Sequence, residues 1–267
     1  MKTPLLAGIG LLIAATTHAA PVKVALFGDT PAVNESVSKI LSSANHAVVP
    51  KEQANTADVI ILASAEPKPI PGADRTLLES LAKRGAGIIV LGSAIGAGDA
   101  AWFKPLTGGA WVPTSRKFAN RLMWCPLTDA HPITSSLSLF DLDDETLYDL
   151  DTVPEINVLA STFTPKVTSK RIDPRSPENP SKANVYDLQP QLWTYEAPDQ
   201  HRATVLLQGG AKSLSHKSIE TTLLRSVAWC AKRPLEDAAW PNVASDTLRY
   251  PKDGPRTCLL YTSPSPR

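Results

Sequence analysis

The chain has 267 residues, with 27 Lys plus Arg against 26 Asp plus Glu, so its formal net charge is +1. Near-neutrality gives no electrostatic ground for nucleic-acid binding, and 43% hydrophobic residues exclude a disordered chain. Twenty-four Pro against 14 Gly predict many irregular connections around an ordinary globular core.

Residues 1–19 read as a secretory signal. Lys2 supplies the charged start, and Leu5 to Ala15 form an apolar run too short to span a bilayer. Thr17 and Ala19 are small residues at the two positions that a signal peptidase reads. Cleavage after Ala19 predicts a periplasmic or secreted mature protein with no membrane attachment. At the other end, residues 258–267 (CLLYTSPSPR) resemble the translated read-through of a transposon-type sequencing-library adaptor, so fold reasoning is confined to residues 20–257. Two cysteines lie there, Cys125 and Cys230. An oxidising compartment allows them to pair, but two separate buried thiols are the preferred reading.

Val22 to Phe27 is a β-rich run that ends at Gly28. Thr30 is placed as an N-cap with Pro31 at the first helical position, and Val33, Val37, Ile40, Leu41 and Ala44 then share one helical face. His46 to Val49 is a short strand. Asp58 to Ala63 is apolar after its first residue, as a strand covered on both faces must be. Leu77, Leu78 and Leu81 mark a second helix ended by Gly85, and Ala86 to Leu91 is another wholly apolar strand.

This order predicts an α/β fold: a doubly wound, mostly parallel sheet with helices on both faces, flavodoxin-like in plan. Ligands on such sheets sit at the carboxyl ends of the strands, which directs attention to Gly28–Pro31, Ala63–Pro71 and Gly92–Asp99. Further along, Ile156–Ala160, Gln191–Tyr195 and Arg202–Leu207 read as strands. Residues 164–187 have no period and read as an exposed loop. Lys217 to Lys232 reads as an amphipathic helix, capped by Ser215 or Ser218 and stopped by Pro234. One domain over residues 20–238 is expected, with 239–257 as a wrapping tail.

The chemistry lies in a few constellations. In Gly92-Ser93-Ala94-Ile95-Gly96 the centre of a would-be nucleophile elbow is Ala94, so Ser93 is misplaced as a nucleophile and stands as a substrate contact. The loop also lacks the Lys of a P-loop and the third Gly of a dinucleotide fingerprint, so no nucleotide cofactor is expected. His131, Asp144 and Glu145 offer an imidazole and two carboxylates, which serve as acid and base when their surroundings push their pKa values apart. Adjacent residues point in different directions, so at most one of Asp144 and Glu145 faces a common site. The structural alternative is a His-Pro turn capped by Asp-Glu. Trp193 and Tyr195 share one face of their strand, either lining a cleft that packs on sugar C–H faces or filling the core.

Asp129-Ala-His131-Pro-Ile-Thr, followed by Phe140 and then Asp144-Glu145, resembles the trehalose-utilisation (ThuA-like) family, whose members carry D-x-HPI-T-x-G-L and then F-x-x-x-DE. Gly87 to Leu91, Trp102-Phe103, Gly108-Gly109-Ala110-Trp111, Val158-Leu159-Ala160, Pro190 to Trp193, Arg202 and Leu223 to Arg233 resemble further family elements in the same order. The resemblance runs over residues 22–238. It implies a class I glutamine-amidotransferase-like fold without that superfamily's Cys-His-Glu triad, and a small-molecule carbohydrate partner, a sugar or keto-sugar of trehalose-type catabolism.

The departures from the family pattern are specific. Gly92 stands where relatives carry His, and Gln208-Gly209-Gly210 where they carry Gly-His. Ser136 replaces a Gly, and Leu147 stands at the first Tyr position. His216 is placed either to substitute for a lost imidazole or to start a helix. Two functions follow as expectations. One acts on or binds a sugar, with His131, Asp144 and Glu145 catalytic, Trp193, Tyr195 and Ser93 touching substrate, and no cofactor or metal. The other is a non-catalytic relative that binds carbohydrate or a partner.

Overall fold

The computed structural model describes residues 20–66, 69–96, 98–166, 185–198, 201–235 and 240–241. The expected signal at 1–19, the adaptor-like end and most of the tail lie outside the described residues.

The first half alternates as its apolar periods dictate: β1 (Lys23–Gly28), α1 (Pro31–Ser43), β2 (Ala47–Val49), β3 (Val59–Ser64), α2 (Gly72–Lys83) and β4 (Gly87–Gly92). A short 3-10 turn over Ser93–Gly96 leads to α3 (Ala100–Thr107). The second half holds β5 (Gly109–Ala110), β6 (Arg116–Pro126), β7 (Phe140–Tyr148), β8 (Asp151–Thr152), β9 (Asn157–Lys166), β10 (Val185–Glu196), β11 (Arg202–Leu206), α4 (Ala211–Leu214) and α5 (Lys217–Cys230).

Nine strands form one sheet in the order β2-β1-β3-β4-β11-β10-β9-β6-β7. The run β2-β1-β3-β4-β11 is parallel throughout, and β10, β9, β6 and β7 extend it as antiparallel neighbours. Strand alternation sorts the core into two layers. Val59, Ile61, Ile89 and Leu91 join Val37, Leu41, Leu223 and Val227 of α1 and α5 on one face. Ile60, Leu62, Ile88 and Val90 join Leu78 and Leu81 of α2 and Phe103 of α3 on the other. This is the expected doubly wound α/β arrangement with helices on both faces.

Several local expectations are corrected. Residues 164–166 and 185–187 are not loop but the paired ends of β9 and β10, with Thr164 opposite Asp187. Thr30 is the N-cap residue of α1 with Pro31 first in the helix, as expected, but its hydroxyl makes no cap bond and instead donates to Asp29 Oδ1 and accepts the Ala65 N–H. The cap of α5 is neither Ser215 nor Ser218 but His216, whose Nδ1 accepts the Ser218 N–H at 3.3 Å. Cys125 and Cys230 are, as expected, two separate buried thiols with no disulfide between them, and burial pushes the Cys230 thiol up to about 12.

Candidate functional site at the carboxyl ends of the parallel strands

The parallel strands finish in rank. Gly28 pairs with Ala63, and Ser64 pairs with Gly92. Gly92 turns the chain out of β4 at φ +55°, a conformation that an L side chain rarely adopts. Beyond the end of β11, Gly209 lies flat against it. A Cβ on Gly209 would fall 2.6 Å from the Gly92 nitrogen and 2.8 Å from the Leu91 carbonyl carbon. The segments that hold Gly92 and Gly209 therefore meet here through bare backbone.

The next residue delivers the site's carboxyl group into contact. A Cβ on Gly210 would sit 3.3 Å from Asp144 Oδ1. Ser213 of α4 donates its hydroxyl to Asp144 Oδ2, and the Glu145 N–H donates to Oδ1 at 2.7 Å. Burial raises the Asp144 pKa above the ordinary carboxylate value, with the charge on Glu145 adding to it. The Ser213 hydroxyl and the Glu145 and Gly210 amides pull the other way without cancelling it.

Glu145 projects from the opposite face of β7, as strand alternation requires. Its Oε1 lies 3.4 Å from Lys117 Nζ, which also reaches Glu66 Oε2 at 3.3 Å. Burial works against the charge on Lys117, but the two carboxylates outweigh it and raise its pKa. The two adjacent carboxylates thus serve different neighbourhoods. Ser93 is placed in the turn after β4 and is buried, with 4% of its surface exposed.

His131 is not brought to this end. Its Nδ1 accepts the Ile133 N–H at 3.2 Å, and its ring packs on Trp229 near the end of α5. Burial first, then the positive charge of Arg202, lower its pKa to about 4. Arg202 opens β11, whereas Gly210 follows that strand's end, and five residues at about 3.3 Å rise separate the two ends by roughly 13 Å. His131 thus neighbours Trp229 and feels the charge of Arg202 at the start of β11, whereas Asp144 meets Gly210 beyond the end of that strand.

Trp193 and Tyr195 do share a face, but that face is core. Trp193 is fully buried, with its indole N–H donating to the Thr107 carbonyl at 2.9 Å, and Tyr195 packs over Gly108. The cleft-lining expectation is corrected for both. His216 caps α5 and stacks on Phe140, 4.4 Å between ring centres.

The sequence reading missed Gln208, Gly210 and Ser213 as parts of the site. A signal existed for the first: Gln208 follows Val205-Leu206-Leu207, and a buried amide there must find polar partners. Among the described residues, no group of three or more His, Cys, Asp or Glu is arranged to hold a metal ion.

Comparison with known proteins agrees with this fold. The trehalose-utilisation (ThuA) family pattern matches residues 15–230. A ThuA-like protein from Bacteroides uniformis ATCC 8492 superposes with a TM-score of 0.60 at 16% identity, over 85% of this chain and 99% of that one. A GMP synthase component from Thermoplasma acidophilum gives 0.51 at 10% identity, over 80% of this chain and 96% of that one. The β-galactosidase from Bacillus circulans sp. alkalophilus also gives 0.51 at 10% identity, over 80% of this chain but only 32% of its own length. Identities this low speak for a common doubly wound fold and not for a common reaction. No curated protein matches the chain. Match length and element order together place this chain in the trehalose-utilisation (ThuA) family.

Proposed function

We propose that this protein is exported and binds a sugar or keto-sugar over the carboxyl ends of β1, β3, β4 and β11, with Asp144 exchanging a proton with it. The observation that carries this reading is the Asp144 carboxyl itself. It is partly buried, its pKa is raised by that burial, and it is held by Ser213 at the place where doubly wound sheets bind ligands. Protonated, such a group donates to a carbonyl oxygen; ionised, it accepts from a hydroxyl or takes the proton from a carbon beside the carbonyl. The family's description, trehalose utilisation, supports the substrate class.

The test is a screen of keto-sugars and their parent sugars against the purified chain of residues 20–257. Asp144→Asn is expected to lower turnover by about 10²–10⁴-fold while affinity stays within a few-fold. Undiminished turnover by that variant would retire the proposal. A second reading, sugar binding without turnover, is favoured by the contact of Gly92 with Gly209, which leaves backbone where the family pattern has imidazoles. Saturable binding with no product from any sugar would select it.

A further inference from the structure

Beneath the Asp144 site runs a chain of buried amides whose polarity has only one solution. The indole of Trp124 on β6 is a donor only, so the atom of Gln208 that faces it at 3.0 Å is Oε1. Gln208 Nε2 must then donate to Gln191 Oε1, at 2.8 Å. Gln191 Nε2 in turn donates to the carbonyls of Leu147, at 3.0 Å, and Pro190, at 2.7 Å, which are acceptors only. Both glutamines and Trp124 are wholly buried.

The chain anchors one end of the segment 208–216. The other end is held by His216, stacked on Phe140, which itself stacks on Trp124 with 5.0 Å between ring centres. Between the two anchors the segment presents Gly210 and Ser213 to Asp144. Phe140 and Asp144 lie on the same face of β7, four residues apart. The segment and the carboxylate are thus built on one strand pair, with Gln208 as the locked joint.

We propose that Gln208 is a positioning residue, which through its oriented amide holds the 208–216 segment closed over Asp144. The proposal rests on the reading of Asp144 as the working group, but its test does not require turnover. Charged groups around the carboxyl are Glu145 on β7, paired with Lys117 of β6, and Asp143 on β7, paired with Lys212 of α4 at 3.1 Å. All are kept in the variants below.

Two substitutions should move the Asp144 titration in opposite directions. Gln208→Met keeps the bulk but releases the joint, so water reaches the carboxyl. Burial is the largest influence on Asp144, so its midpoint should fall toward the ordinary carboxylate value. Ser213→Ala keeps the cover and removes a donor to the charged form, so the midpoint should rise. Leu81→Ala, in α2 on the far side of the sheet, serves as a control that weakens the core without touching the segment. The side-chain carboxyl carbon of Asp144 is followed by NMR in the full chain from pH 3 to 8. A fall in Gln208→Met, with Leu81→Ala unmoved, supports the proposal. A midpoint unchanged from the parent in a folded Gln208→Met overturns it, as does an equal fall in Leu81→Ala. Should Gln208→Met not fold, Gln191→Met breaks the same chain one link further out and is judged by the same criterion. Absent turnover alongside the expected fall would retire the reaction assigned to Asp144 and leave the positioning role standing.

Discussion

Gly209→Ala is the perturbation that most directly tests how the strand ends are closed. The added Cβ would lie 2.6 Å from the Gly92 nitrogen, 2.8 Å from the Leu91 carbonyl carbon and 3.0 Å from the Gly92 Cα. All three are backbone atoms, so no flexible side chain can swing away. Reaching ordinary contact requires a displacement of about 0.8 Å. The strand that must give, β4, is bonded to β3 on one side and β11 on the other. Overpacking of this kind costs about 1–3 kcal/mol, and restricting the unfolded chain returns only about 0.4–1 kcal/mol. A net loss of about 1 kcal/mol should lower the melting temperature by roughly 2–4 °C in a domain of this size. Gly72→Ala is the matched control. It opens α2 and meets nothing within 4 Å, so a small gain in stability is expected there. Thermal unfolding followed by circular dichroism decides the matter. A Gly209→Ala protein that melts at or above the parent would show that the strand ends are looser than their backbone contact implies.

Other outcomes follow from the same geometry. Arg225 is buried in α5 and donates to the carbonyls of Ile133 at 3.3 Å, Ser135 at 2.6 Å and Pro241 at 3.2 Å. Arg225→Met orphans these acceptors and should cost about 3 kcal/mol in urea titration; a loss under about 0.5 kcal/mol would mean the carbonyls are satisfied by water. Trp193→Phe removes the bond to Thr107 and should destabilise by about 2 kcal/mol while leaving sugar affinity unchanged by calorimetry. A tenfold loss of affinity would return Trp193 to the site. His131 has its folded pKa lowered from 6.5 to about 4, so between those values the unfolded chain binds the extra proton. Its contribution is fully present above pH 6.5 and is lost as pH falls toward 4; urea midpoints across that window should drop less steeply in His131→Gln than in the parent.

How much of this was legible depends on the range over which each feature is encoded. The helix α1 could be read from Val33, Val37, Ile40 and Leu41 because one face is set by neighbours three and four residues apart. The strand β7 could not, because Phe140 and Leu142 start an alternation that Asp144 breaks, and that break lies in the candidate site. The same carboxylate that hid the strand is the one that Ser213 and Gly210 approach. His131 sat close to Asp144 in sequence and looked like its partner, yet the chain between them spans from one end of the sheet toward the other.

The amino-acid order alone determined the parallel body, since two unbroken apolar runs, at 59–63 and 86–91, find shelter only in a sheet covered on both faces. It also determined the family, whose elements recur in order along the chain. Only tertiary structure decided which residues surround Asp144. Ser213 meets Asp144 across 69 residues, and Gln208 meets Trp124 across 84. Periodicity reports what a residue's near neighbours require, whereas these contacts exist because separate strands and loops are carried to one end of the sheet.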